Sequence, residues 1–302
     1  MEGTKIGRNS HDVVFDVVIF IILTFLFLIV AYPLYFIVIS SVSDPIKVSQ
    51  GLVVWKPEGF TLDGYIKVFK TGEVMRGFKN SLIYTILGVT LNLLLTLPTS
   101  YALSRKDFLL RKPITLFYMV TMFVGGGMIP TYLVVKGTGL INTMWALIIP
   151  GSIGVYNMIV ARTFFTTNIP VELMEAAKLD GCGNTRFFIS IVLPLSGAII
   201  AILFLYYGVG HWNSYFSALL YIDDRTKWPL QMELRVILIQ NSQSMTKTTY
   251  TAEERLEMER LEALKEMMKY SLIIISSIPV LVIYPFVQKY FVKGVMIGSV
   301  KG

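Results

Sequence analysis

Six apolar runs, each about the length of a bilayer crossing, dominate the chain: Val17–Ser41, Ser81–Leu103, Pro113–Val135, Thr143–Phe164, Leu195–Tyr221 and Tyr270–Val292. A spanning helix needs about 20 mostly apolar residues. Inside hydrocarbon each backbone N–H and C=O must find a partner within the protein, and a helix supplies those partners from its own segment. The expected fold is therefore all-α, a polytopic membrane protein with six transmembrane helices. Charged residues make up 16% of the chain, well below the ~25% of soluble domains. Pro33 falls inside the first run, where neighbouring helices can satisfy the carbonyl it frees, and Pro98 is expected to kink the second. The first run has no small-residue cleavage site at its end and is too long for a signal-peptide core, so it reads as a retained span.

The polar segments set the orientation. Ser104 to Lys112 is a tight turn carrying Arg105, Lys106, Arg111 and Lys112, and such clusters stay on the cytoplasmic side. Counting spans in both directions puts both termini in the cytoplasm. The net charge of +7 then belongs to topology, and no nucleic acid is needed to explain it. Asp223 to Lys269 is the longest external segment. It ends in a charged helix from Thr251 to Lys269 with Leu256, Leu261 and Leu264 as a thin apolar line. Its acids and bases nearly cancel, as in a solvated face. The expected organisation is one transmembrane domain over residues 1–302, with a cytoplasmic loop at about 165–192 and an external loop at about 222–269.

Two features inside the spans are polar or small. Gly125-Gly-Gly-Met-Ile-Pro130 allows either a broken helix lining a cavity or close helix packing through small residues. No Gly-Lys-Ser/Thr follows, so it is not a phosphate loop. Gly208-Val-Gly-His-Trp-Asn-Ser-Tyr-Phe216 is too polar to face lipid. The sole cysteine, Cys182, excludes an internal disulfide and a multi-cysteine metal site.

The most informative segment is Asn168 to Pro194, a polar interruption between two apolar runs. Pro170 suits a first helical turn, and Glu172 and Glu175 sit near the positive end of the helix dipole. Leu173, Ala176 and Ala177 fall at i, i+3 and i+4 as a small apolar stripe. Gly181 supplies the left-handed residue that ends the helix, and Asn184 is placed to cap a second one. A short amphipathic helix of this kind fits a partner's groove.

Glu175-Ala-Ala177, then Asp180-Gly181, then Ile191-Val-Leu-Pro194 resembles the EAA loop of ATP-binding-cassette importer permeases. Trp55-Lys-Pro57, Phe60 to Tyr65, Trp212 to Tyr221 and Gln288 to Gly302 extend the resemblance to the six-span maltose-type subunit. Gly126 to Tyr132 and Asn142 to Leu147 are similar to the branch associated with polysaccharide fragments. The resemblance implies a bacterial inner-membrane protein without catalytic residues or metal site. It implies a heterodimer with a sister permease, two ATPase subunits that bind ATP and Mg, an external sugar-binding protein and an oligosaccharide substrate.

It also implies that Pro170, Glu172, Glu175, Ala176, Ala177, Asp180 and Gly181 couple the chain to the ATPase, with Glu175 making a polar contact. The tail Gly298–Gly302 corresponds to a segment that reaches between the ATPase subunits. The external loop corresponds to one that enters the binding protein, for which Gln231, Gln240, Asn241 and Gln243 offer polar groups. His211, Trp212, Asn213 and Tyr215 have the aromatic faces and polar atoms that a sugar path needs. The same residues also suit packing against the sister permease or the headgroup belt.

Three other readings stay open on the sequence: a permease of the same kind for another polar solute, a secondary transporter, and a membrane enzyme. A secondary transporter would need coupling-ion carboxylates in its spans, and a membrane enzyme would leave carboxylates or histidines there. The spans hold almost no ionisable group beyond His211.

Overall fold

The computed structural model describes residues 10–240 and 252–299, with side chains over 13–239, at 257 and over 262–290. The expected contributions of Gln240, Asn241, Gln243, Leu256, Leu261 and the Gly298–Gly302 tail lie outside the described side chains. Every regular element among the described residues is helical. The chain divides into two compact units.

The first unit comprises residues 1–70 and 237–275. Its α1 runs Ser10–Ser41, and residues 13 to 30 expose nearly every side chain. That is the surface expected of a helix whose solvent is lipid. Short helices α2 (Pro45–Ser49) and α3 (Asp63–Lys70) follow. Asp44 caps α2 by accepting from the N–H groups of Ile46 and Lys47. Ile39, Val48 and Val53 form its small core with Phe36 and Tyr270.

The second unit comprises residues 71–236 and 276–302, and α4 (Gly72–Ser104) is its spine. Pro98 sits within this continuous helix. One face of α4 carries Ser81, Gly88, Asn92, Thr96 and Ser100, all buried. Their spacing, seven residues and then four at a time, places them in one row. Ser81 Oγ accepts from the Leu230 N–H at 2.8 Å, Thr96 shares a 2.7 Å hydrogen bond with Tyr207, and Ser100 donates to the Met158 carbonyl at 3.1 Å. Small and hydroxyl side chains let helices approach closely while their own polar atoms find partners across the contact. An apolar cluster that includes Leu97, Tyr101, Phe165, Phe187, Ile199 and Leu203 packs beside this row.

The third expected span is broken. Helices α5 (Arg111–Phe123) and α6 (Met128–Gly137) meet at 117° across the glycines. Gly127 takes φ +82°, and the three glycines are exposed. They serve the bend, and among the described residues a Cβ on any of them would meet nothing but Pro130 within 4 Å.

The fourth expected span is interrupted too. Helix α7 covers Trp145–Ile148 and α8 covers Val155–Asn168. Pro150 lacks an N–H and Gly151 has φ +78°, so the ladder stops between them.

After α9 (Val171–Leu179) come α10 (Asn184–Phe187), a π-helical turn over Phe188–Val192, and α11 (Leu193–Leu195). The segment Asn184–Leu195 bends by 81° into α12 (Gly197–Trp212), and α13 (Tyr215–Tyr221) follows.

Helix α14 covers Leu230–Gln240 and α15 covers Ala252–Ser299. The charged segment and the last expected span are thus one helix, with Pro279 and Pro285 inside it. Among the described residues three helices are long and apolar enough to cross a membrane, or up to five if each bent pair is one span.

Candidate functional site

The segment from Ile169 to Phe188 folds as a helix, a turn and a second helix. Pro170 is the N-cap of α9, with φ −61° and ψ 144°, and Glu172 lies in the first turn. The helix ends in a Schellman turn: the Cys182 N–H bonds the Ala177 carbonyl at 2.8 Å, and the Gly181 N–H bonds the Lys178 carbonyl at 3.0 Å. Gly181 takes φ +72°, which a residue with a Cβ adopts at a cost of about 1–2 kcal/mol.

The stripe read from the sequence is split. Ala177 is buried at 7% exposure and packs with Met174 and Cys182 on this unit's core. Leu173 and Ala176 face outward with Glu172 and Asp180. Leu179, 89% exposed, is the most prominent apolar side chain on that outer face. Leu179 lies at i+6 from Leu173, outside the i, i+3, i+4 set.

Asn184 does not cap. Gly183 occupies the N-cap and no side chain caps α10. The Asn184 Oδ1 instead accepts from Arg105 Nη1 at 3.1 Å. Arg105 also donates to the Tyr101 hydroxyl at 3.2 Å and, through Nε, to Asp107 at 2.9 Å. Asp107 in turn lies 3.9 Å from Lys178 of α9. Arg162 donates to the Leu103 carbonyl at 2.9 Å, satisfying one of the orphan carbonyls at the end of α4. The basic turn and the helix–turn–helix are therefore one assembly. A cavity of about 330 Å³ lies between them, lined by Tyr101, Arg105, Asp107, Met174, Glu175 and Lys178 among others.

The Arg105 guanidinium, bonded to Asp107, holds that carboxyl down at about 2. A carboxylate with a depressed pKa stabilises the fold fully above its ordinary value of 3.8, and the contribution is lost as pH falls toward 2. Asp107 is half exposed, so solvent screening keeps the effect below about 1 kcal/mol. Backbone amides of residues 181–187 should keep constant hydrogen-exchange protection from pH 8 to 5, after correction for intrinsic rates. Protection should loosen below about pH 4, and Asp107→Asn should loosen it slightly at every pH.

The second group of interest lies at the far end of α12, and its members diverge. His211 Nε2 sits 2.6 Å from Asn92 Oδ1, while Asn92 Nδ2 donates to the Ser152 carbonyl at 2.7 Å. This relay pairs a carbonyl freed where Pro150 and Gly151 interrupt the helix. Trp212 is buried, donates to the Ser276 carbonyl at 2.8 Å and meets Phe78 edge-on at 5.7 Å. Asn213 is exposed and accepts from Gln231 at 3.3 Å. Tyr215 is half-buried, with Arg235 5.4 Å from its ring centre.

Beyond α13, the loop 223–229 is held firmly. Asn80 donates to the carbonyls of Thr226 and Trp228, and Tyr84 donates to that of Lys227. Arg225 pairs with the buried Glu233 at 2.9 Å. Among the described residues, no group of three or more His, Cys, Asp and Glu side chains could hold a metal ion.

Comparison with known proteins gives this geometry its context. Residues 74–297 match the family described as "Binding-protein-dependent transport system inner membrane component". The chain is 38% identical over 288 residues to the polygalacturonan/rhamnogalacturonan transport system permease protein YtcP of Bacillus subtilis (strain 168), covering 95% of this chain and 98% of that one. It is 39% identical over 302 residues to Protein LplC of the same organism, covering 100% and 98%.

Among solved structures, it superposes with a TM-score of 0.85 and 27% identity on a chain of a bacterial ABC transporter involved in the import of the acidic polysaccharide alginate. The match covers 94% of this chain and 99% of that one. A match across most of the length and helices able to cross a bilayer lead to one conclusion: the chain belongs to the binding-protein-dependent transport system inner membrane components, the multi-pass permease subunits of bacterial ABC importers.

Proposed function

We propose that this chain is the permease subunit of an importer for oligosaccharides or polysaccharide fragments, moved by partner ATPases and without catalysis of its own. Likeness along its whole length to a polygalacturonan/rhamnogalacturonan permease carries the substrate class, and the alginate importer chain adds a second acidic polysaccharide. The chain pairs with a sister permease, two ATPase subunits and an external sugar-binding protein. It crosses the membrane six times with both ends in the cytoplasm, the interrupted α7–α8 segment serving as one crossing.

The power enters at α9. Pro170, Glu172, Glu175, Ala176, Asp180 and Gly181 shape a short exposed helix with a fixed end, and Leu179 adds an apolar knob. Ala177 seats the helix on its own unit's core. A helix with one face anchored and the other free can sit in a moving groove and pass its displacement inward. At the other end of α12, Asn213 and Tyr215 are the groups best exposed to meet a sugar. His211 and Trp212 hold the frame in the conformation described.

The test is transport by the reconstituted complex, offered a panel of neutral and galacturonate-containing oligosaccharides with the binding protein present. Expected results are co-purification of the ATPase subunits, and uptake with stimulated ATP hydrolysis for the uronate members. Uptake of an unrelated polar solute, with no response to any oligosaccharide, would overturn the substrate assignment.

A further inference from the structure

We infer that Arg105 is a positioning residue for coupled transport, tying the α9–α10 segment to the end of α4 so that displacement of α9 is passed to that helix. The inference rests on the reading of α9 as the site where motion enters. Four cations occupy the turn after α4, and orientation in the membrane needs only their charge. Lys106 and Lys112 fit that use, with side chains left in solvent. Arg105 differs. Its side chain is only 12% exposed, and its donors are divided among Tyr101, Asp107 and Asn184.

Those three acceptors sit on different pieces of the structure. Tyr101 belongs to the last turns of α4, stacks on Phe188 at 5.1 Å and meets Phe165 edge-on at 5.8 Å. Asn184 opens α10, on the far side of the Gly181 turn. Asp107 extends the link to Lys178, on the near side of that turn. Arg105 thus holds the helix–turn–helix directly after its bend, through Asn184, and before the bend through Asp107 and its ion pair with Lys178. A planar group with five donors in a fixed fork reaches acceptors on several sides at once, whereas an ammonium presents its three donors from a single point.

The cavity explains why the grip matters. With about 330 Å³ open between the turn and α9, close packing does not join them there. The polar links cross the gap beside the aromatic contacts of Tyr101.

The test compares Arg105→Ala, Arg105→Lys and Asn184→Ala in the full reconstituted complex, reading substrate imported per ATP hydrolysed. Arg105→Ala and Asn184→Ala should assemble with the ATPase subunits and still hydrolyse ATP, while import per ATP falls about fivefold, at the low end of measured coupling effects. Arg105→Lys should keep part of the Asp107 pair and recover part of the ratio. A residue with a merely structural role would lower both rates together and leave the ratio unchanged, and that result overturns the inference. Should Arg105→Ala fail to assemble, Asn184→Ala alone decides in the same way.

Glu175→Lys run in parallel separates the two levels of argument. Uncoupling by Glu175→Lys with an unchanged ratio in the Arg105 and Asn184 variants sinks the clamp and leaves the α9 reading intact. No effect from any of them removes that reading as well.

Discussion

Gly181→Leu and Glu175→Lys are each expected to reduce uptake about tenfold or more, and with it the ATPase stimulation by substrate, while membrane insertion stays at the normal level. The reasons differ. Gly181 holds φ +72°, and its turn closes with the Cys182 and Gly181 amides on the Ala177 and Lys178 carbonyls. A leucine there costs about 1–2 kcal/mol in backbone strain, a factor of roughly 5–30 in the population of the closed turn. No atom lies within 4 Å of where a Cβ would go, so the strain is conformational within this chain. On the proposed docking of α9, the added bulk stands where a partner would sit.

Glu175 acts through charge. It is exposed on α9 and lines the cavity shared with Arg105 and Lys178. Reversing its sign places a fourth cation beside Arg105, Lys106 and Lys178 and removes an acidic group from the N-terminal half of the helix, where the dipole favours it. Co-purification of the ATPase subunits and substrate-stimulated hydrolysis are the measurements. Wild-type stimulation in either variant would contradict the assignment of α9. Gly181→Ala should be milder, because it brings the strain without the bulk.

The loop was legible because its signals are local. A proline, two glutamates, a glycine and a fixed spacing lie within one short segment, and local backbone chemistry fixes their shape. The long helices over the first, second and last apolar runs were legible for a different reason: lipid imposes a length on every crossing. Legibility failed where the outcome depends on distant residues. Nothing near Arg105 announces that its fork will reach Asn184, nor does anything near Asn184 announce that Gly183 will take the cap.

The interruption of the fourth span did have a signal in Pro150-Gly151, a strong pair of breakers. A continuous apolar count from Thr143 to Phe164 hid it. Nor could the amphipathic stripe decide its own direction. Leu173, Ala176 and Ala177 share a face by spacing alone, yet the core beneath α9 accepts Met174 and Ala177 and leaves Leu179 outside.

Gly88→Ala should be the more damaging change to the fold, although it adds one methyl group. A Cβ at Gly88 would stand 2.6 Å from both Cδ2 and Cε1 of His211, far inside van der Waals contact. The imidazole is the free end of a side chain and could swing away, but it is held by Asn92 at 2.6 Å. Asn92 is 1% exposed and committed to the Ser152 carbonyl. Moving the ring leaves a buried amide oxygen without its partner, at about 1–3 kcal/mol. Keeping the ring in place overpacks the α4–α12 contact, at about 1–3 kcal/mol. Either way the link that holds the broken segment between α7 and α8 is weakened, and thermal unfolding of the purified protein should shift to clearly lower temperature. The decisive measurement is a double-mutant cycle with His211→Ala. Removing the imidazole opens the space that the new methyl needs, so Gly88→Ala should cost much less in the His211→Ala background than alone. Purely additive effects would mean that glycine is required at this position for some reason other than the histidine ring.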